Sequence, residues 1–141
     1  MFFGVIFIIT SSMTPAQVHE HAHIPVLVPS VVQAEVKRAY ESVDSATPHA
    51  YSISFGWVPK CKANACDIGY VTGGVSEDLA ATDAEHVHLR DGTAATYLPY
   101  HCGASCAEAR IGFWWHHVLY VLHLKSATRS EMIRSANSML P

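Results

Sequence analysis

All four cysteines lie in two short segments, CKANAC at residues 61–66 and CGASC at residues 102–106. Cysteines can ligate zinc, exchange electrons with a partner thiol or form structural disulfides. Zinc sites usually space paired cysteines as C-x2-C or close to it, and a thioredoxin-like motif needs C-x-x-C at the start of a helix. The observed spacings, C-x4-C and C-x3-C, favour structural disulfides, with metal and redox roles as alternatives.

Four cysteines allow three disulfide connectivities. We expect Cys61–Cys66 and Cys102–Cys106, because the members of each pair are close in sequence. Closing such small loops removes little chain entropy, about 2 kcal/mol per disulfide, so the two bonds stiffen turns more than they hold the fold together.

Histidines form the second group with chemical potential, and three of the ten alternate near the start of the chain, at His19, His21 and His23. If the chain is cut after Ala16, its new amino terminus can bind Cu(II) or Ni(II) in a square plane. The ligands are the terminal amine, two backbone amides and the His19 imidazole. His21 and His23 would add weaker sites, and a solvated tail is the competing interpretation.

Catalytic motifs are missing from the sequence. It contains no G-x-S-x-G, P-loop, G-x-G-x-x-G or H-E-x-x-H pattern. His101 beside Cys102 does not make a nucleophile pair, since neighbouring residues of a strand point to opposite faces. We therefore expect no catalytic residue and no resident cofactor, with copper or nickel as the alternative.

Trp114 and Trp115 are the candidate partner-binding residues. They are adjacent in an alternating segment, so they face opposite sides of one strand and one of them is expected to be exposed. Lys+Arg total 9 against 12 Asp+Glu, and the basic residues are scattered, so no binding of nucleic acid is expected.

The amino-terminal residues predict export. An apolar run at residues 2–9, shorter than the roughly 20 residues of a membrane span, precedes a polar stretch with Pro15. We expect a signal peptide at residues 1–16, a His-rich tail at 17–23 and one domain at 24–140. The mature chain would then be secreted or periplasmic, without a transmembrane segment.

Hydrophobic periodicity predicts three β-hairpins. YSISFGWV pairs with DIGYVTG, strands flank Asp91-Gly92, and IGFWW pairs with VLYVLHL around His116-His117. IPVLVPS is typical of an edge strand or extended lead-in, VVQAEVKRAY of a short helix, and GGVSEDLAATDAE of a polar loop.

A terminal helix follows the third hairpin. Thr128 and Glu131 form a capping box, and the apolar face comprises Met132, Ile133, Ala136, Met139 and Leu140. The expected fold is α+β: an antiparallel sheet of about five to six strands packed against the C-terminal helix, with a short N-terminal helix and two disulfides.

The order IPVLVPS, CKANAC, VHLRDG, CGASC, IGFWWHHVLYVLHLK and SANSML resembles that of a group of uncharacterised secreted bacterial proteins. The last hairpin and helix are also similar to a domain in envelope-stress and sigma-factor-linked lipoproteins. This chain departs from those lipoproteins by carrying two cysteine pairs and no lipid-attachment cysteine. The resemblance implies a non-catalytic binding or sensor domain whose partner is an envelope protein or a small ligand. A protein that handles copper, nickel or zinc through its N-terminal histidines is the alternative.

Overall fold

A computed structural model describes residues 13–32 and 39–141 of the chain. In chain order its elements are α1 (Pro15–His21), β1 (Tyr40–Ala46), β2 (Tyr51–Gly56), a 3-10 turn (Asn64–Cys66), β3 (Asp67–Gly73), β4 (Glu85–His88), β5 (Ala94–Leu98), β6 (His101–Cys102), β7 (Cys106–Ala107), β8 (Ala109–Trp115), β9 (Val118–Leu124) and α2 (Arg129–Met139).

Seven strands form one antiparallel sheet in the order β1-β2-β3-β9-β8-β5-β4, and β6 and β7 form a separate hairpin. The predicted α+β class and antiparallel sheet are confirmed. The sheet has one strand more than the upper expectation, because β1 pairs with β2 at the edge.

The three predicted hairpins are present. Gly92, with φ 84°, lies in the β4–β5 turn, and His116 and His117 form the β8–β9 turn with φ 49° and 63°. Two consecutive positive φ angles give a turn whose twist matches that of the flanking strands. Histidine tolerates this region better than most side chains.

The expected short N-terminal helix is present as α1, at Pro15–His21. Of the range in which the sequence placed it, residues 31–40, Tyr40 begins β1. Residues 33–38, the middle of the predicted helix, lie outside the described residues, as do residues 1–12 of the predicted signal peptide. Within residues 17–23, predicted as a tail, Val18 is completely buried.

Pairing along the sheet places alternate side chains on one face, the core face, which α2 covers. The buried core-face side chains of β2, β3, β9 and β8 include Ile53, Phe55, Val71, Leu122, Leu124, Ile111 and Phe113. From the helix, Met132, Ala136 and Met139 are buried in the same cluster.

IPVLVPS is an extended lead-in that lies against this face. The Tyr51 hydroxyl donates to the Leu27 carbonyl at 2.6 Å and accepts from the Leu27 amide at 2.9 Å. The Tyr120 hydroxyl donates to the Pro25 carbonyl at 2.6 Å. Gly73 leaves room for the Tyr51 ring, since a Cβ there would lie 2.4 Å from it. These bonds satisfy buried polar groups that would otherwise oppose folding.

Helix α2 is fixed to the β4–β5 hairpin at both ends. The Arg129 guanidinium donates to the Glu85 carboxylate at 2.7 to 3.0 Å near the helix start. At the other end, Arg90 donates to the carbonyls of Leu140 at 2.6 Å and Asn137 at 3.2 Å. An arginine at this position adds donors to the last carbonyls of the helix, of which that of Asn137 also accepts from the Leu140 amide at 3.3 Å.

The predicted capping box is present, with the Thr128 side chain accepting from the Glu131 amide at 3.2 Å. The buried face of α2 is rotated slightly from the expectation. Met132 and Ser135 are completely buried, whereas Ile133 is only half-buried. The Ser135 hydroxyl explains its own burial, because it donates to the Val31 carbonyl of the lead-in.

Met132→Ala should lower the free energy of unfolding by about 2 to 5 kcal/mol, because it opens a cavity beneath the helix. Exposed Arg134, two positions along the same helix, is the matched control: Arg134→Ala should change stability by less than about 0.5 kcal/mol. Urea unfolding of both variants measures the difference, and similar losses would show that the helix face is assigned incorrectly.

Alkaline pH should destabilise the protein through its buried tyrosines. Burial raises the pKa of Tyr120 to about 12 and also raises the pKa of Tyr51. The unfolded tyrosines ionise near pH 10, so their contribution to stability is complete below about pH 10 and is lost as the pH rises toward 12. Urea unfolding between pH 9 and 12 should show a shallower decline for Tyr120→Phe than for the parent chain, and parallel declines would contradict this role of Tyr120.

Candidate functional site

The outer face of the sheet, opposite α2, is covered in part by the chain between β3 and β4. We call residues 74–84 the covering segment. Its Gly74 amide donates to the Leu119 carbonyl at 2.9 Å, which fixes its start to β9. Leu79 lies over Gly112 of β8, where a Cβ would approach the Leu79 Cδ1 atom to 2.2 Å. Gly112 therefore provides the space that seats the covering segment.

A polar cluster holds the covering segment to the sheet. Glu77 lies between two strands: one carboxylate oxygen accepts from Arg110 Nη1 at 2.9 Å and the other lies 3.0 Å from His123 Nε2. His123 is only 5% exposed, and its ring stacks on Tyr70 at 4.2 Å between ring centroids. Its Nδ1 lies 3.8 Å from the Glu108 carboxylate. Glu77 thus satisfies a buried imidazole and a guanidinium at once.

Tyr70 also belongs to this cluster. Burial, followed by the nearby Glu108 and Glu77 carboxylates, raises the pKa of its phenol. The hydroxyl therefore stays protonated at neutral pH, and its ring presents an uncharged surface to His123. The cluster is a packed anchor in which the charged side chains bond mainly to one another.

Beyond this anchor the covering segment stands away from the sheet edge and leaves a groove of about 640 Å³. We call this cavity the outer groove. Its lining consists mainly of alanines and other apolar residues and contains few polar groups. The lining residues are Glu77, Leu79, Ala80, Ala81, Ala84, His86, Ala94, Ala95, Thr96, Gly112, Phe113, Trp114 and Leu119.

The two tryptophans singled out in the sequence separate as the strand alternation requires. Trp115 faces the core side and is half-buried, with its ring centroid 3.8 Å from that of His116. Trp114 is 66% exposed and lines the outer groove. Trp114 is thus the member of the pair that is available to a ligand.

Both cysteine pairs form the expected local disulfides, Cys61–Cys66 and Cys102–Cys106. The first borders a polar cavity of about 330 Å³ at the end of the sheet. The Asp44 carboxylate in this cavity accepts from the Ser54 hydroxyl at 2.5 Å. Asp67, which also lines it, lies 3.4 Å from Lys125 Nζ. The lining consists mainly of polar side chains and includes the charged Lys62, so this cavity suits an apolar ligand less well than the outer groove does.

The histidines proposed as metal ligands lie on or beside α1. All three of His19, His21 and His23 are exposed, and the backbone of residues 17–19 is helical with Val18 buried. Within residues 13–32 and 39–141, no three His, Cys, Asp or Glu side chains converge in a way that could hold a metal ion. The structure therefore does not bring these histidines together with further ligands.

Sequence reasoning missed Glu77, Arg110 and His123 as a unit. The available signal was a histidine within VLYVLHL, a segment apolar on both faces, which requires a polar partner from elsewhere in the chain. Nothing local identifies that partner as Glu77, because the two residues are 46 positions apart.

Comparison of the chain with protein-family models, curated proteins and solved structures finds no match. Among the helices of the described residues, none is long and apolar enough to cross a membrane.

Removing the anchor should release the covering segment. Glu77→Ala leaves His123 buried without its partner, so the free energy of unfolding should fall by about 1 to 3 kcal/mol. The amide of Ala80, which donates to Asp78 at 2.8 Å within the segment, should exchange its hydrogen faster.

Glu108→Ala is the control, because that carboxylate lies farther from His123 and should contribute less than about 1 kcal/mol. Denaturant unfolding and amide hydrogen exchange measure both variants. An unchanged exchange rate at Ala80 in Glu77→Ala would show that Glu77 does not anchor the segment.

Proposed function

We propose that this chain is a non-catalytic binding domain of the periplasm or cell exterior, which holds a small, mostly apolar ligand in the outer groove. The observation that carries the proposal is the placement of Trp114, a large aromatic side chain exposed at 66% along an apolar groove. Exposing this ring to water costs free energy that a ligand covering it would recover.

The dimensions and lining of the outer groove support an apolar ligand. Its volume of about 640 Å³ lies within the range of small-molecule sites. Alanines form most of one wall, and Gly112 adds no side chain that would fill the groove. The Trp114 ring provides a flat contact surface. Thr96 and His86 are the polar groups at the edge that could orient a bound molecule.

The polar side chains of the cluster already bond to one another, and this supports binding without catalysis. Glu77, the carboxylate of the outer groove, already bonds to Arg110 and His123. A general base must reach the proton that it abstracts, whereas His123 is buried beneath the covering segment and directs Nε2 toward Glu77. These groups fit a structural role in holding the groove open.

Two features support a location outside the cytoplasm. Disulfides form and persist mainly in oxidising compartments, and this chain contains two. The sequence of residues 1–16 adds the layout of a signal peptide. A role as an envelope sensor would follow if ligand binding moves the covering segment. The alternative is that the protein handles copper, nickel or zinc. Contacts of His19, His21 and His23, among the residues that the structure describes, add no support to it.

The fluorescent probe 1-anilinonaphthalene-8-sulfonate, which is aromatic and apolar over most of its surface, tests the outer groove directly. Titration should give saturable binding with quenching of tryptophan emission. Trp114→Ala should weaken the affinity by at least about tenfold. Trp57→Ala removes another exposed tryptophan, 45% accessible and outside the lining of the groove, and should leave the affinity unchanged.

Equal affinities of the parent chain and Trp114→Ala would overturn the proposal, as would a loss of affinity confined to Trp57→Ala. Circular dichroism of each variant separates a lost site from a lost fold.

A further inference from the structure

The two disulfides occupy contrasting environments. Cys61–Cys66 is half-buried against the end of β2, where a Cβ on Gly56 would lie 2.6 Å from the Cys61 Cβ. The Trp57 amide donates to the Cys66 carbonyl at 2.8 Å, and both sulfur atoms lie 3.2 Å from the Ala63 carbonyl oxygen. An attacking thiol would have to displace this packing before reaching the sulfur atoms.

Cys102–Cys106 is open to solvent. Every residue from 101 to 107 is exposed, and Cys102 pairs directly with Cys106 across the β6–β7 hairpin. This hairpin is separate from the seven-stranded sheet, and none of its residues belongs to the hydrophobic core. The bond therefore closes a peripheral loop, and the buried packing of the domain does not rely on it.

A donor is positioned at one of the two sulfur atoms. The Tyr100 hydroxyl lies 2.7 Å from Cys102 Sγ, and it must be the donor because a disulfide sulfur carries no proton. The same hydroxyl would stabilise negative charge on that sulfur if the S–S bond were broken. Thiolates leave more readily when they are stabilised in this way, so the bond is polarised toward departure of Cys102.

We propose that Cys102–Cys106 is an exchangeable disulfide that accepts electrons from a dithiol partner protein, whereas Cys61–Cys66 is structural. A thiolate of the partner attacks Cys106 Sγ and forms a mixed disulfide. The S–S electron pair passes to Cys102 Sγ, which accepts the Tyr100 hydrogen bond and then a proton from solvent. The partner's second thiol loses its proton and attacks the partner's first sulfur in the mixed disulfide. The bond from that sulfur to Cys106 Sγ breaks, and the released Cys106 thiolate takes a proton from solvent. The partner leaves as a disulfide, and this chain carries two thiols.

Reduction would remove the covalent closure of the β6–β7 hairpin and leave the seven-stranded sheet in place. The exchange site is separate from the outer groove, since residues 101–107 do not line that cavity. The proposal therefore stands or fails independently of ligand binding.

Dithiothreitol is the probe for the first test. The folded protein is incubated with increasing dithiothreitol, and free thiols are alkylated and located by peptide mass spectrometry. Cys102 and Cys106 should become alkylated at least about tenfold faster than Cys61 and Cys66, because thiol exchange depends on access to the sulfur. The circular dichroism spectrum should be retained while only Cys102–Cys106 is reduced.

Glutathione, a monothiol, tests which sulfur is attacked. The mixed disulfide should form on Cys106, with Cys102 as the free thiol. Tyr100→Phe removes the donor and keeps the ring, so it should slow the reaction severalfold and spread the adduct over both cysteines.

Equal reduction rates of the two disulfides would overturn the proposal. So would an adduct mainly on Cys102, or loss of the fold when only Cys102–Cys106 is reduced.

Discussion

Strand β9 is buried on both of its faces, and the rest of the structure follows from this constraint. Every residue from position 119 to position 124 is buried. An antiparallel sheet can leave one face in water, but a strand with apolar side chains on both faces cannot. On the core face α2 and the lead-in provide the cover, fixed by the hydroxyls of Tyr51 and Tyr120. On the outer face the covering segment does so, and His123 in the middle of that face requires a polar partner. Glu77 meets this requirement, and the same carboxylate also binds Arg110.

The outer groove is a consequence of how this second face is covered. The covering segment is anchored to β8 and β9 by Glu77 and Leu79. Toward β4 and β5 it presents small alanine side chains that do not fill the space above the sheet. A groove therefore remains between the anchored part of the segment and the edge of the sheet. Both Phe113 and Trp114 border it, but β8 alternates: the Phe113 side chain is buried in the core cluster, whereas that of Trp114 is exposed along the groove. The fold and the candidate site thus share one cause, the burial of β9 on both faces.

Local signals in the sequence predict the parts of this structure that depend on short-range physics. The three hairpins follow from alternation and turn residues, α2 from the Thr128–Glu131 capping box, and the disulfides from the proximity of their cysteines. Strand β1 carries the sequence YESVDSA without clear alternation, and it is a strand because it pairs with β2, with a bulge between Val43 and Ser45. Helix α1 does carry local signals, because Thr14 and Gln17 form a capping box and Pro15 is its first residue, and the burial of Val18 adds a tertiary contact. The anchor could not be found because it joins residues from distant segments, and only the completed sheet brings them together.

The central claim is that the outer groove is the ligand site and that the covering segment forms its wall. Nuclear magnetic resonance of isotopically labelled protein, titrated with 1-anilinonaphthalene-8-sulfonate, tests this most directly. The account predicts that chemical shifts change at the Trp114 indole, at Gly112 and along the alanines of the covering segment, with little change near Trp57 or the Cys61–Cys66 cavity. Shift changes centred on the Cys61–Cys66 cavity, or scattered over the surface without saturation, would contradict it.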